Sequence, residues 1–381
     1  MQMPERMKEK VRTKTKQAAY GLITQPQDGI APLVQAIDEA KERVEILIFR
    51  FDRAEIEEAL IRAVGRGVVV QALIAWTNHG GERNLRQLEA RLLGAGVTVS
   101  RTASDLARYH GKMLLVDRKT LYLLAFNFTS LDIDHSRSFG VVITVPRLVH
   151  EAVRLFDADS NRQPYKPAPK TLLVSPVNAR AELATFIEGA EGCLDIYDPG
   201  LGDPQMIRLL EDRCRAGIKL RVIGTMKRAS TLVSAAPLAQ MRLHTRTIIR
   251  DGHQAFIGSQ SLRAAELDGR REIGIILTDK QVVKSVARVF EEDWKLVESA
   301  GEPPMQSLGG DKLAKKVAKA MTKELPPVSE VIETVAAEMT ERSVNLEGVD
   351  MEALQETIRV AVKTVVRESI QGAVAAPPVP A

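Results

Sequence analysis

Residues 110–117 read HGKMLLVD and residues 244–251 read HTRTIIRD. Both are His-x-cation-x-x-x-x-Asp, with an apolar run between the cation and the Asp, as a buried strand leaving a loop would show. The copies lie 134 residues apart. The same step carries His110 to His244, Lys112 to Arg246, Asp117 to Asp251, Gly140 to Gly274, Phe156 to Phe290 and Asp159 to Asp293. A lone HxK arises often by chance. A register kept from the motif to a closing Phe-x-x-Asp marks an internal duplication.

The segments before each motif repeat as well. APLVQAIDEAKE (31–42) has helical apolar spacing, VEILIFRF (44–51) is strand-like, AEIEEALIRAVGRG (54–67) is a helix ending in Gly, and VVVQALIA (68–75) is a second buried strand. The second half follows with AELATFIEGAEG (181–192), CLDIYDPG (193–200), PQMIRLLEDRCRAG (204–217) and IKLRVIG (218–224). Such alternation predicts an α/β fold, each half a mixed sheet flanked by helices. The Gly closing each second helix supplies the left-handed residue that a helix C-terminus needs. Between second strand and motif the halves differ: 77–108 is a Gly-rich loop with a helix, whereas 225–243 is shorter.

These landmarks set the expected domains: a basic, flexible N-terminus (1–20), a first lobe (21–162), a Pro/Lys linker (163–170), a second lobe (171–300) and a helical C-terminal extension (301–381). In the extension, Lys312, Lys315, Lys316, Lys319 and Lys323 share one helical face opposite Leu313, Val317 and Met321. Val328, Val331, Ile332, Val335 and Met339 mark a further amphipathic helix, and Met351, Leu354, Ile358, Ala361 and Val365 another. Their stripes fit packing or homo-oligomer formation better than membrane binding, since the Lys-rich helix has no Trp or Phe to seat in headgroups. The Pro/Ala-rich end reads as a disordered tail.

The 381 residues suffice for two lobes and a tail. A pI of about 9.0 suggests a nucleic-acid binder until the charge is located. Residues 1–20 hold six Lys/Arg against two acids, and residues 301–381 nine against twelve, so the body is only mildly basic. Two cysteines, Cys193 and Cys214, do not make a disulfide framework. No apolar run approaches the ~20 residues that span a bilayer. The charged N-terminus lacks the apolar core of a secretory signal. The expectation is a soluble cytoplasmic protein.

Residues i and i+2 of an extended segment point to the same side. His110 and Lys112 therefore converge, as do His244 and Arg246, and two copies face to face would gather two imidazoles and two cations. A phosphodiester suits such a site: the cations hold the non-bridging oxygens, one neutral imidazole attacks phosphorus and the other protonates the leaving oxygen. Histidine fills both roles near neutral pH. No clustered metal-ligand spacing appears, so no cofactor and no metal is expected.

With HxKx4D in both halves and a Gly-Ser-x-Asn-like stretch after each, the chain resembles the phospholipase D superfamily over roughly residues 20–300. The resemblance implies two pseudo-symmetric lobes sharing one metal-independent site that works through a phospho-histidine. It implies His110 and His244 as nucleophile and general acid, Lys112 as phosphate ligand, and Asp117 and Asp251 as mostly structural. The second copy departs in Arg246, which keeps the charge on a larger side chain. Its small-residue stretch is Gly258-Ser259-Gln260-Ser261, with Ser for Asn; in the first copy Leu124-Ala125-Phe126-Asn127 keeps Asn127 but loses Gly-Ser. Glu272 matches the family's histidine-orienting acid, while the 134 step puts Ser138 opposite it. Glu272 could serve His244 in its own lobe or His110 across the interface.

Three functions follow: a phosphodiesterase acting on a phospholipid head group, an endonuclease using the same site on DNA or RNA, and a non-catalytic phosphate-binding scaffold. The first implies peripheral membrane contact without a transmembrane segment. His79, His135, His150 and His253 have no partner in the repeat and are read as surface or core residues, His79 in the first-half insertion being the one placed to reach substrate. Asp52 and Asp198 end the equivalent first strands and are read as strand-end structure, with lining of the cleft as the lesser alternative.

Overall fold

The 134-residue step becomes geometry in a computed structural model that describes residues 18–76, 82–238 and 240–299. The basic segment 1–17, His79 and the extension 301–381 lie outside the described residues.

The first lobe runs β1 (Tyr20–Gln25), α1 (Ala31–Glu39), β2 (Arg43–Ile48), α2 (Ala54–Gly65), β3 (Val69–Ile74), α3 (Glu82–Gly94), β4 (Thr98–Arg101), β5 (Arg108–Tyr109), β6 (Met113–Val116), β7 (Thr120–Leu124), α4 (Ser130–Asp134), β8 (Ser136–Ile143) and α5 (Pro146–Ser160). The second runs β9 (Leu172–Val174), α6 (Ala179–Glu188), β10 (Cys193–Leu201), α7 (Pro204–Arg215), β11 (Lys219–Met226), β12 (Arg242–Leu243), β13 (Arg246–Arg250), β14 (Gln254–Gly258), α8 (Ala264–Asp268), β15 (Arg270–Arg271), β16 (Ile273–Leu277) and α9 (Lys280–Ser299). Gly67 and Gly217, just past α2 and α7, take φ of +84° and +86°, the left-handed turn that the two glycines predict.

The first sheet has the order β1-β8-β7-β6-β2-β3-β4 and the second β11-β10-β13-β14-β16-β9. Both are mixed: β2 pairs parallel with β3 and antiparallel with β6, and β10 does the same with β11 and β13. The segment 77–108, read from sequence as a loop and a helix, also contributes β4, parallel to β3, which widens the first sheet by one strand. Nothing in the second sheet corresponds to it. The first strands also align differently from the motifs: Val44 faces Val116 and Leu194 faces Arg250, so Asp198 corresponds to Ile48 and Asp52 to Gly202.

One core cluster draws on both lobes, with Leu47, Leu115, Val141 and Phe156 meeting Tyr197, Ile249, Ile257 and Phe290. Separate clusters pack the helices α1 and α2 on the first sheet and α6 and α7 on the second. Removing this apolar surface from water, at roughly 25 cal/mol per Å², is what holds the halves as one body.

The lobes also exchange short strands. β5 pairs with β15 and β12 pairs with β8, both parallel and both across the interface. A buried ion pair sits beside each exchange. Arg137 in β8 binds Asp293 of α9 at 2.8 Å, and Arg271 in β15 binds Asp159 of α5 at 3.0 Å. The closing Phe-x-x-Asp of each copy is thus the anchor for an arginine of the other. This accounts for the register extending 49 residues past the histidine.

Candidate active site

Each lobe prepares its histidine from the other lobe's backbone. His110 N donates to Arg271 O at 2.7 Å, and His244 N donates to Arg137 O at 3.0 Å. The arginines whose side chains tie the lobes therefore use their carbonyls to seat the two motifs. Both histidines line a single cleft of about 310 Å³. Each is nearly buried, with 7% of His110 and 6% of His244 exposed.

The motif aspartates stand away from this cleft. Asp117 and Asp251 sit at tight turns with φ of +53° and +54°. Asp117 accepts backbone N–H groups of Lys41, Glu42 and Arg43, the shortest at 2.7 Å. Asp251 does the same for Glu191, Gly192 and Cys193. Burial works to raise each carboxyl, and the three amide donors outweigh it, so both are held below the usual carboxylate range. They staple β6 to the start of β2 and β13 to the start of β10.

Around His110 both ring nitrogens have partners. Its Nδ1 lies 2.8 Å from Glu272 Oε2, so the carboxylate serves the first histidine across the interface rather than the second in its own lobe. The tautomer satisfying this contact carries its proton on Nδ1 and leaves Nε2 as the acceptor. Lys112 Nζ donates to the same ring, 3.0 Å from Nε2, as the i, i+2 spacing predicts. Phe49 meets the ring edge-on at 4.5 Å. Burial, then Lys112 and Arg246, push the imidazole well below its ordinary value, so it is neutral at neutral pH. Burial also raises Glu272, against Lys112, Arg246 and Ser259, and makes it a stronger acceptor. Burial lowers Lys112 to about 7; a bound phosphate would restore its charge.

His244 is furnished differently. Its Nε2 lies 3.5 Å from Asp132 Oδ2, and its Nδ1 is buried without a hydrogen-bond partner. Ser138, opposite Glu272 in the repeat, is itself buried with an unpartnered Oγ. Arg246 turns away from the imidazole ring, donating to His244 O at 2.7 Å and standing 3.7 Å from Glu266. Burial lowers the His244 imidazole, Asp132 opposes that, and Arg246, Lys112 and Arg242 add to it.

The remaining expected residues separate. Asn127 and Ser261, at equivalent positions, both line the cleft. Ser259 lies behind it, bonded to the Ile273 backbone, where it steadies the strand next to Glu272. Asp52 caps Ser130 at the start of α4, and Asp198 holds Ser261 Oγ and Leu262 N, so both are structural. His135, His150 and His253 are exposed and none lines the cleft.

Sequence reasoning missed Asp132 and Glu266. The 134 step relates them, and each accepts the amide N–H of the Asn127 or Ser261 position at 2.8 Å. The signal was an acid five residues after each of those positions. It also missed the arginines of the mouth: Arg50, Arg108, Arg242, Arg263 and Arg270 join Arg246 there. Glu266 is the one carboxylate among the lining residues, and Phe49, Pro199 and Leu243 the apolar ones.

The family model described as cardiolipin synthase, PLD-like domain, matches residues 33–160 and 183–294, one match per lobe. The chain belongs to the phospholipase D-like family. Solved structures agree on this phospholipase D-like fold. Polyphosphate kinase from Porphyromonas gingivalis superposes with a TM-score of 0.61 at 20% identity, over 72% of this chain and 50% of that one. The chain thus spans half the length of that kinase. Phosphatidylserine synthase from Haemophilus influenzae gives 0.56 at 12% identity, over 80% and 94% of the two chains. Nuc from Salmonella typhimurium, a phospholipase D family member, matches 39% of this chain and 98% of its own at 24% identity, with a TM-score of 0.35. Curated protein sequences yield no match. Among the described residues, no helix of this phospholipase D-like chain is long and apolar enough to cross a membrane.

Proposed function

We propose that the chain is a phosphodiesterase of phospholipase D type that works through a phospho-histidine without a metal ion. The observation that carries this is the pairing of a neutral His110, its Nδ1 on Glu272 and Lys112 against its ring, with His244 and Arg246 in one cleft. His110 attacks phosphorus through its lone pair, and the P–O bond to the leaving group breaks. The departing oxygen takes a proton from His244 in its imidazolium form, which Asp132 and the bound phosphodiester anion favour against the burial that lowers this imidazole. Lys112 and Arg246 take up the charge on the non-bridging oxygens. Water, or an alcohol, then attacks the phospho-histidine while His244 accepts its proton, which returns His110 and delivers the phosphate product.

The first substrate reading is a phospholipid head-group ester, as the family description and the phosphatidylserine synthase relative suggest. The mouth favours the second reading. One phosphodiester needs the two motif cations, and the six lining arginines, with Arg242 on Asp132 and Arg246, Arg263 and Arg270 sharing Glu266, outnumber those carboxylates and suit a strand with successive phosphates, DNA or RNA. Both begin with the same test. An aryl phosphodiester should be cleaved at an unchanged rate in EDTA, and loss of cleavage on chelation would overturn the metal-free mechanism. Parallel assays on phosphatidylglycerol, cardiolipin, single-stranded DNA and RNA then separate the substrates. Binding of phosphate esters without turnover of any of them would point to a scaffold.

A further inference from the structure

We propose that Asp132 is the positioning carboxylate of His244, reaching its Nε2 from α4 of the first lobe as Glu272 of the second lobe reaches Nδ1 of His110. Resting on the two-histidine mechanism above, the assignment extends it to a residue outside the repeated motif. Its basis is a mismatch in the repeat. Glu272 has only Ser138 as its counterpart, and the Ser138 hydroxyl and His244 Nδ1 are each buried without a hydrogen-bond partner. The acid that does reach His244 is Asp132, with Oδ2 3.5 Å from Nε2. It comes, like Glu272, from the opposite lobe.

Asp132 is built for that position. Its Oδ2 accepts the Asn127 N–H at 2.8 Å and the Asn127 side-chain amide at 2.6 Å. Its Oδ1 receives Arg242 at 2.5 Å, and its own N–H is capped by Thr129 Oγ1. Only 2% of the residue is exposed. Burial would raise this carboxyl, but His244, Arg242 and the Asn127 amide bring it down to about 2, so it stays ionised throughout the working range. A fixed anion beside an imidazole favours the imidazolium, the form a general acid must hold. A separation of 3.5 Å is loose for the neutral ring and can shorten when the ring gains its proton.

The repeat also shows that this is a property of the position and not of the acid alone. Glu266, the counterpart of Asp132, accepts the Ser261 N–H in the same way, but it faces Arg246, Arg263 and Arg270 of its own lobe. Near His244, Asp132 is the anion, and Arg246 of β13, Lys112 of the first motif and Arg242 of β12 are the cations. Removing Asp132 leaves Glu266, already engaged by Arg246, Arg263 and Arg270, as the carboxylate lining the cleft with His244.

The test is a titration of His244 by NMR in the full chain. Its signal among the six histidines is identified by loss in His244→Gln. In Asp132→Asn the His244 pKa should fall by at least about one unit, the lower end of the effect of an adjacent opposite charge. Asp132→Ser gives the same readout should the amide variant fold poorly, and Asp132→Glu should restore the wild-type value. The alkaline limb of the kcat/KM profile should move to lower pH in step, since loss of charge makes His244 give up its proton earlier. A merely structural Asp132 would lower stability and leave the His244 pKa in place; that result in both neutral variants overturns the assignment. An enzyme that cleaves no phosphodiester sinks the proposed function, while the titration still decides whether Asp132 governs the His244 proton.

Discussion

The two lobes have the same frame and different chemistry. Arg137–Asp293 and Arg271–Asp159 are one contact used twice, as are the two carbonyls that hold the histidine amides and the two aspartates that staple the motif strands. At the imidazoles the symmetry ends. His110 has Glu272 on Nδ1 and Lys112 on its ring, whereas His244 has Asp132 beside Nε2, an open Nδ1, and an Arg246 turned onto its carbonyl. The lesson is that a duplicated fold keeps positions alike while their occupants specialise. A neutral, carboxylate-polarised imidazole suits attack, and an imidazole beside a fixed anion among cations suits proton donation.

The sharpest way to break this comparison is to remove each histidine and vary the leaving group. His110→Ala should lose more than about 10⁴-fold in kcat whatever the ester, as a missing nucleophile does. His244→Ala should lose about 10²–10⁴-fold on an alkyl ester and recover most of it on a p-nitrophenyl ester, whose leaving group needs no acid. Equal losses on both esters would make the histidines interchangeable.

The shared frame is tested by Arg137→Met and Arg271→Met. Each leaves a buried aspartate without its cation, and each should cost roughly 3–5 kcal/mol of unfolding free energy in urea. A large cost in one lobe alone would show that the frame too is unequal.

A smaller effect separates the orienting positions. Glu272→Gln should lower kcat about 10²-fold with KM little changed, since it alters the tautomer and basicity of His110. Ser138→Ala, at the equivalent position, should stay within about twofold, because its hydroxyl has no partner to lose. A comparable loss in both would restore the symmetry that the side chains argue against.

Much of the frame was legible in the sequence because it rests on periodicity and fixed spacing. Alternating apolar runs, helix-ending glycines and a constant step are local features, and they located both sheets and both motifs. The i, i+2 rule likewise brought Lys112 to His110. It did not bring Arg246 to the His244 ring, because the longer guanidinium finds the backbone carbonyl first. β4 went unseen in a segment read as loop and helix, since four residues leave too short a pattern. Glu272 was found, but its choice of histidine was not, because that depends on which strands cross between lobes. Asp132 and Glu266 stayed hidden for a different reason. Each looks like an ordinary helix acid until the fold turns it under the neighbouring strand.

The division of labour is tested most directly by trapping the covalent intermediate. A rapid acid-free quench during turnover of an aryl phosphodiester, followed by peptide mapping at alkaline pH, should place the phosphoryl group on the peptide carrying His110 and leave the His244 peptide unmodified. Phosphorylation of His244, or equal labelling of both, would contradict the account.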